Sequence, residues 1–364
     1  MGIIVSMKKK IILTGGGTAG HIMPLLALLP KLTAKYEVHY IGRSEGMEKE
    51  LTAGENVIYH SVDCPRLTRG KIFVNLTLPF KLISAYFKAR KVIKQIKPSL
   101  ILSKGGYVSL PAVLAHGKTP VILHESDTSL GLANRVAAKC ATAVCSSFPL
   151  PPVGRKSVLH TGSPLRSAIY RGNKERAAEK CGFDGSKKVL LVTGGSLGAK
   201  ALNDAVDENL ERLTAEFDIV HIRGRGNTEQ PRKGYYPIEF TADIFDLFAL
   251  ADLALTRGGG NSLFELGALG KPMLIVPLPK GASRGDQIEN AEFFRKHGLA
   301  LVLAQTELGK LCEKLSELKN RADEFSAALK GYRFDGTEEL LSLIDKLACD
   351  EELLAAVSKK TAEE

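Results

Sequence analysis

A histidine closes a glycine cluster near the start of the chain, in the run Thr14-Gly15-Gly16-Gly17-Thr18-Ala19-Gly20-His21. An apolar run precedes the cluster and a periodic apolar segment follows it, in the order strand, turn, helix. Backbone amides in such a turn can approach an anion or a diphosphate closely. The imidazole adds a group that exchanges a proton near neutral pH. The stretch therefore predicts an anion site with a proton-transfer group, His21, at its mouth.

Further groups able to move a proton follow a second strand-like run. Residues 120–123 are apolar and end in His124-Glu125-Ser126-Asp127. A carboxylate within hydrogen-bond reach of an attacking hydroxyl can act as a general base. Glu125 and Asp127 are therefore alternatives to His21 in that role.

The second half of the chain has glycine turns of its own, at residues 193–199 and 257–262. The latter turn starts a helix, and the positive end of a helix can hold a diphosphate. Glu265 lies one turn into this helix and can reach ribose hydroxyls, although its spacing equally fits a solvated surface residue. The pattern predicts a nucleotide site in the second half of the chain.

Alternating strand and helix patterns place these turns at strand ends. Such alternation is typical of parallel sheets with right-handed crossovers, which bind ligands at the carboxyl ends of the strands. A proline cluster at residues 148–154 interrupts the alternation, which then restarts. We predict an α/β protein with two Rossmann-like, doubly wound domains facing across a cleft. The predicted domains are residues 1–160, joined by a C-terminal helix at 348–364, and residues 161–347.

The composition is that of a soluble globular protein, with 44% hydrophobic and 25% charged residues among 364. No run approaches the length of a membrane span, and the N-terminus is too short for a signal peptide, so a cytoplasmic protein is expected. The six cysteines show no metal-ligand spacing. We expect neither a metal site nor disulfides.

Charge is unevenly distributed along the chain. Residues 1–162 contain 22 Lys and Arg against 8 Asp and Glu, whereas the remainder is net acidic. Residues 64–124 contain no acidic residue, and residues 66–81 interleave apolar with basic side chains. This pattern predicts an anionic membrane surface as a partner, with ordinary core packing as the alternative. Nucleic acid is not expected, because aromatic residues are not interleaved along a groove.

The spacing Gly15-x-Gly17-x-x-Gly20 also matches the dinucleotide-binding fingerprint. That fingerprint expects an acidic residue at the end of the second strand, where this sequence has Arg43. An NAD(P)-dependent oxidoreductase is therefore a weaker alternative. Two glycine-turn domains together fit glycosyl transfer better, since one can carry a nucleotide-linked sugar and the other its acceptor.

Five glycine-rich or polar segments follow one another along the chain, at residues 16–21, 104–109, 124–127, 194–199 and 284–291. In order and spacing they resemble the MurG family, glycosyltransferase family 28. The resemblance extends over nearly the whole chain. These transferases move N-acetylglucosamine from UDP-N-acetylglucosamine to lipid I in peptidoglycan synthesis.

The resemblance implies a GT-B fold and an inverting transfer to the muramoyl 4-hydroxyl of lipid I, giving lipid II. Thr18, Ala19 and Gly20 would lie near the donor sugar and diphosphate, and Asn134 matches a further family position. The other implied contacts are with the diphosphate (Arg166 and Ser196), the ribose (Glu265), the sugar hydroxyls (Gln287) and the donor sugar (Asp127).

Three positions depart from the family pattern. Asp127 stands where many relatives have asparagine. Ala19 replaces a usual glycine and adds a methyl group beside the predicted site. Asp286 stands where relatives often have glutamine, so the assignment of Gln287 depends on the alignment of Asn290 and Ala291 with the family pattern.

No cofactor is expected, because a helix N-terminus, backbone amides and Arg166 can stabilise a departing UDP without a metal. The implied partners are UDP-N-acetylglucosamine, undecaprenyl-linked lipid I, the membrane and other cell-wall synthesis proteins. The implied location is peripheral, at the cytoplasmic face of the cell membrane. Another GT-B UDP-sugar transferase with a lipid acceptor is the nearest alternative.

Overall fold

The computed structural model describes residues 8–65, 77–194, 199–241, 244–281 and 285–349 and contains two parallel sheets. Strand β1 (Lys10–Gly15) is an interior strand of the first sheet. Within these ranges the first sheet has the strand order β3-β2-β1-β4-β5-β6-β7, and every pair is parallel. Its other strands are β2 (Glu37–Gly42), β3 (Ile58–Ser61), β4 (Leu100–Gly105), β5 (Val121–Glu125), β6 (Ala143–Ser146) and β7 (Val158–His160).

Helices cover both faces of this sheet because its central strands are apolar on both sides. Ile11 and Leu13 of β1 belong to the core on one face, together with Leu28, whereas Ile12 belongs to the core on the other, with Ile93. The helices that follow these strands are α1 (Ala19–Lys35), α2 (Met47–Thr52), α3 (Leu78–Ile96), α4 (Leu110–Leu114) and α5 (Leu132–Cys140).

The second sheet repeats this architecture with the order β10-β9-β8-β11-β12-β13 among the described residues, again entirely parallel. Its strands are β8 (Lys188–Thr193), β9 (Phe217–Ile222), β10 (Tyr235–Ile238), β11 (Leu253–Thr256), β12 (Met273–Ile275) and β13 (Leu301–Val302). Its helices are α6 (Lys174–Cys181), α7 (Lys200–Glu208), α8 (Leu210–Glu216), α9 (Ile244–Leu250), α10 (Gly260–Ala268), α11 (Asp286–Lys296), α12 (Leu311–Asn320) and α13 (Ala322–Lys330).

The chain returns to the first sheet through α14 (Thr337–Cys349). Leu340 and Ile344 of this helix are buried in the same core as Ile11. The first unit therefore comprises residues up to Pro164 and again from Gly336, and the second unit is Leu165–Asp335. The sequence predicts that the chain returns to the first unit at residue 348. In the structure the return comes earlier, because apolar side chains of α14 pack into the core of the first unit. All but the first two residues of the predicted helix 348–364 lie outside the described residues.

Within the described ranges, no helix has both the length and the apolar character needed to cross a membrane. All six cysteines are free thiols. Helix α3 carries many of the basic residues of the acid-free interval 64–124, and Lys97 ends it in a left-handed conformation with φ 54°.

Candidate active site

The first glycine turn joins β1 to α1. Thr18 precedes the helix in extended conformation, and its carbonyl accepts a hydrogen bond from the His21 amide at 3.1 Å. Gly17 has a φ of 84°, and a Cβ there would lie 2.7 Å from the Tyr107 ring. Glycine is required at this position on both grounds. Thr18, Ala19, Gly20 and His21 thus begin α1 at the carboxyl edge of the first sheet.

A carboxylate of the chain itself lies against this turn. Glu48, in the first turn of α2, is 0% exposed. Its Oε2 accepts from the Gly17 amide at 3.4 Å and its Oε1 from the Arg43 amide at 3.1 Å. A Cβ on Gly16 would come within 2.8 Å of the Glu48 carboxyl carbon. The Gly17 amide, which lies in the turn predicted to bind an anion, therefore already donates to the carboxylate of Glu48.

Glu125 ends β5 with its carboxylate fully engaged. Oε1 accepts from the amides of Ser126 at 2.8 Å and Asp127 at 3.2 Å. Oε2 accepts from the Gly131 amide at 3.3 Å and from Asn134 Nδ2 at 2.7 Å. Four donors fill the lone pairs of a carboxylate, so this group orders the segment that follows β5. The geometry favours Glu125 as a positioning residue over its predicted role as a base.

The predicted residues of the first unit share one edge of its sheet. β1, β4 and β5 are adjacent and parallel, so the segments bearing His21, Asp127 and Asn134 all follow strand carboxyl ends. Asn134 is buried on α5, where it contacts the turn after β4, because a Cβ on Gly105 would lie 2.2 Å from its Oδ1. Asp127 is partly exposed.

In the second unit the structure brings together Arg166 and Glu265, which are 99 positions apart in the sequence. Arg166 Nη2 lies 3.1 Å from Glu265 Oε1, and its guanidinium stacks 4.4 Å above the centroid of the Phe245 ring. Burial raises the pKa of Glu265, and Arg166 opposes that rise. The predicted diphosphate and ribose contacts thus form one ion pair in this structure.

The turn before α10 packs against the start of α11. Asn290 Nδ2 donates to the Gly258 carbonyl at 3.0 Å, and a Cβ on Gly258 would lie 2.4 Å from the Gln287 carbonyl oxygen. The Gln287 side chain accepts from the Leu278 amide at 3.1 Å. Gln287 is therefore held beside the turn that carries α10. Ser196, the remaining predicted contact, lies outside the described residues.

Across the residues that the structure describes, no cluster of three or more His, Cys, Asp or Glu side chains is arranged to hold a metal ion. Sequence reasoning overlooked two buried charged residues of the first unit, Glu48 and Lys104. Glu48 lies in a polar stretch that gives no sign of burial, whereas Lys104 closely follows the apolar run of β4.

Two family models match the chain, one on each sheet. The glycosyltransferase family 28 N-terminal domain matches residues 11–146, and the corresponding C-terminal domain matches residues 189–341. The chain belongs to glycosyltransferase family 28. This assignment confirms the resemblance drawn from the five sequence segments.

Relatives of this family 28 chain share one name. A Clostridium tetani protein called UDP-N-acetylglucosamine–N-acetylmuramyl-(pentapeptide) pyrophosphoryl-undecaprenol N-acetylglucosamine transferase is 43% identical over 352 residues, covering 93% of this chain and 98% of the relative. A protein of the same name from Clostridium botulinum is 42% identical, covering 93% of this chain and 99% of the relative.

Solved structures agree with the family assignment. The crystal structure of Acinetobacter baumannii MurG has a TM-score of 0.75 and 26% identity, covering 93% of this chain and 99% of that one. The kitacinnamycin glycosyltransferase, at 18% identity and a TM-score of 0.69, covers 94% of this chain and shares the fold. The expected GT-B class is confirmed.

Proposed function

We propose that this protein transfers N-acetylglucosamine from UDP-N-acetylglucosamine to the muramoyl 4-hydroxyl of undecaprenyl-diphospho-muramoyl-pentapeptide, lipid I, giving lipid II with inversion. The similarity to the Clostridium tetani transferase carries this proposal, because it extends over 93% of the chain and so over both units. The acceptor, the hydroxyl and the stereochemistry follow from the family resemblance.

In this proposal the second unit binds the nucleotide. Its α10 begins after a glycine turn and can direct its amides at a diphosphate. The Arg166 guanidinium also binds the diphosphate, and Glu265 gives up part of its contact with Arg166 to accept hydrogen bonds from the ribose hydroxyls. Gln287, which is held beside the α10 turn, is the contact to the sugar hydroxyls. Ser196 is assigned to the diphosphate from the family resemblance alone.

The first unit binds the acceptor. Glu48 engages the Gly17 amide, so this one amide is not free to bind a phosphate oxygen. The same contact disfavours a dinucleotide, whose pyrophosphate needs that amide. Arg43, which stands where the dinucleotide fingerprint expects an acid, donates to the Tyr107 hydroxyl at 3.2 Å. The oxidoreductase alternative therefore has little support.

Inverting transfer needs a base for the attacking hydroxyl and stabilisation for the leaving UDP. His21 takes the proton in this proposal, and Asp127 is the alternative because its carboxylate is partly exposed. Thr18, Ala19 and Gly20 form the wall beside the reacting sugars. Glu125 acts indirectly, by ordering the segment that carries Asp127.

The test is release of UDP from UDP-N-acetylglucosamine in the presence and absence of lipid I. We expect release only with lipid I, and at least a 100-fold lower kcat in His21→Ala with an unchanged affinity for UDP, a loss typical of a missing general base. His116→Ala, a second histidine of the first unit that bonds locally to the Thr119 carbonyl, is the matched control. Unchanged turnover in His21→Ala would transfer the base role to Asp127. Release with another lipid-linked sugar but not with lipid I would identify a different acceptor.

We further propose a peripheral location at the cytoplasmic face of the membrane, through residues 66–81 and the exposed face of α3. Residues 66–76 lie outside the described residues. On α3, Phe80, Ile83 and Phe87 are 75%, 54% and 63% exposed at helical spacing, with Lys81 and Lys88 beside them. Apolar side chains flanked by lysines suit shallow insertion between anionic lipids.

Flotation with liposomes tests this surface. We expect anionic vesicles to recruit the protein, neutral vesicles to recruit it less, and the double substitution of Phe80 and Phe87 by serine to abolish recruitment. Ile58→Ser removes a similarly exposed apolar residue from β3 and should leave recruitment unchanged. Full recruitment of the double variant would exclude α3 from the membrane surface. Other cell-wall synthesis proteins are further proposed partners, with no surface assigned to them.

A further inference from the structure

A fully buried lysine lies beneath the glycine turns of the first unit. Lys104, near the end of β4, is 1% exposed. A buried ammonium group is unfavourable unless specific partners compensate the loss of water. Sugar transfer itself does not use this ammonium group, so its burial serves another purpose.

The partners of Lys104 are His124, near the end of β5, and Ser126, directly after that strand. Its Nζ lies 2.7 Å from His124 Nδ1 and donates a short hydrogen bond to Ser126 Oγ. His124 Nε2 lies 2.9 Å from the Gly162 carbonyl oxygen. A carbonyl can only accept, so Nε2 carries the proton and Nδ1 accepts from the ammonium. Burial and the neighbouring Lys104 hold the pKa of His124 well below its ordinary value, which keeps this tautomer neutral.

Several charged or titratable groups face Lys104. The carboxylates of Glu125 and Asp127 favour its charged form, as does the Cys145 thiol of β6, whereas burial favours the neutral form. Burial prevails and lowers the pKa of Lys104 to about 8. The ammonium is therefore charged at neutral pH and becomes neutral within the range in which an enzyme can be assayed.

The same lysine joins the segment after β5 to both glycine turns. A Cβ on Gly15 of the first turn would lie 3.2 Å from Lys104 Cβ. Gly106, two residues after Lys104, packs against the first turn, because a Cβ there would lie 2.5 Å from the Gly16 carbonyl and 2.9 Å from His21 Cδ2. Displacement of Lys104 would therefore shift the positions of His21 and Asp127.

We propose that Lys104 is a positioning residue for sugar transfer, which fixes the segment 124–127 against the turn that carries His21 through its bonds to His124 and Ser126. This inference rests on the proposed function. Lys104 does not touch substrate, since its side chain is enclosed by the unit. It acts by holding the candidate base and Asp127 in one arrangement while its charge offsets those of Glu125 and Asp127.

The experiment compares pH profiles of kcat for lipid I-dependent UDP release. The wild-type enzyme should lose turnover above about pH 8, as the Lys104 ammonium deprotonates and the hold on residues 124–127 weakens. Lys104→Met keeps the length of the side chain without the charge. We expect a 10- to 100-fold lower kcat at pH 7, roughly the loss of one charge-assisted hydrogen bond, no alkaline decline up to pH 9.5, and unchanged UDP affinity.

Two further variants separate positioning from general stability. Lys104→Arg retains a charge that does not titrate in this range, so it should recover part of the turnover and also lack the alkaline decline. Lys156→Met removes another lysine of the first unit, which caps α5 by donating to the carbonyls of Ala138 and Lys139. It should lower thermal stability and leave the alkaline decline in place.

Specific results would overturn the inference. A wild-type alkaline decline that persists in Lys104→Met excludes Lys104 as its source, and equal losses of UDP affinity and kcat indicate general damage. If Lys104→Met does not fold, the His124 ring nitrogens of the wild type can be titrated by ¹⁵N NMR. A Nδ1 shift with a midpoint near pH 8 supports the inference, and a constant Nδ1 resonance refutes it. Absence of lipid I-dependent UDP release in the wild type would instead reject the proposed function.

Discussion

Replacement of Glu48 by alanine should both destabilise the first unit and create an anion site that the wild-type protein lacks. Glu48 occupies the Gly17 and Arg43 amides from a fully buried position. The alanine variant leaves these donors without their acceptor. It also leaves a space at the N-terminus of α1, where the helix dipole favours negative charge.

The size of the effect follows from these contacts. A buried amide left without an acceptor costs about 1–3 kcal/mol, and Arg43 is the more enclosed of the two donors. Gly17 is exposed, so water can replace its lost partner at little cost. Removal of the buried side-chain carbon atoms adds about 1 kcal/mol. We therefore expect Glu48→Ala to lower the free energy of unfolding of the first unit by about 2–4 kcal/mol.

Urea unfolding, monitored by tyrosine fluorescence, measures this loss of unfolding free energy. Tyrosine is a suitable probe because the chain contains no tryptophan and Tyr40 and Tyr59 stack close to the site. The first-unit transition is the one that UDP does not shift. Pyrophosphate should raise its midpoint in Glu48→Ala, through binding to the released amide, and should leave the wild type unchanged. Glu50→Ala, an exposed acid on the same helix, is the control. A loss below about 0.5 kcal/mol, or equal stabilisation of both proteins by pyrophosphate, would refute the reasoning.

Three further outcomes are expected in the second unit. Burial lowers the pKa of His221 to about 4, so the folded protein favours its neutral form. The free energy of unfolding should therefore fall by at most about 3 kcal/mol as the pH drops from 6.5 to 4. Urea unfolding at each pH measures this loss, which should be smaller in His221→Gln. Gly258→Ala should weaken UDP binding at least about tenfold by calorimetry, because the new Cβ would displace the start of α11. Tyr235→Phe removes the hydroxyl that accepts a hydrogen bond from Arg223. We expect the free energy of unfolding to fall by about 1–2 kcal/mol, as measured by thermal melts at saturating UDP.

Much of the fold follows from local sequence patterns. The apolar runs of β1, β4, β5 and β8 are buried on both faces, so their hydrophobicity and flanking glycines mark them clearly. The edge strands β3 and β7 are short and partly exposed, so they lack such runs and were not foreseen. The periodic apolar segment after the glycine cluster predicts a helix from Ile22, whereas α1 starts at Ala19, because the turn geometry and not the apolar period sets its first residue.

The candidate site is less accessible to sequence reasoning. Glycine turns at strand ends identified the segments that carry His21 and Glu265, and the end of an apolar run identified the one that carries Asp127, because both signals are local. The engagement of Glu125 by four donors and the burial of Glu48 depend on contacts between elements distant along the chain. A hydropathy pattern assigns charged residues to the surface, so Lys104 could be recognised only in the folded structure.

The early return of the chain at α14 has a consequence for biosynthesis. The second unit is one continuous stretch, Leu165–Asp335, whereas the first is divided between two. On the ribosome, β8 to β13 can therefore close around their core while the first unit still lacks Leu340 and Ile344, which complete the apolar layer over Ile11. A chain truncated after Asp335 and released from the ribosome should contain a folded second unit and a first unit that still exposes apolar surface to chaperones.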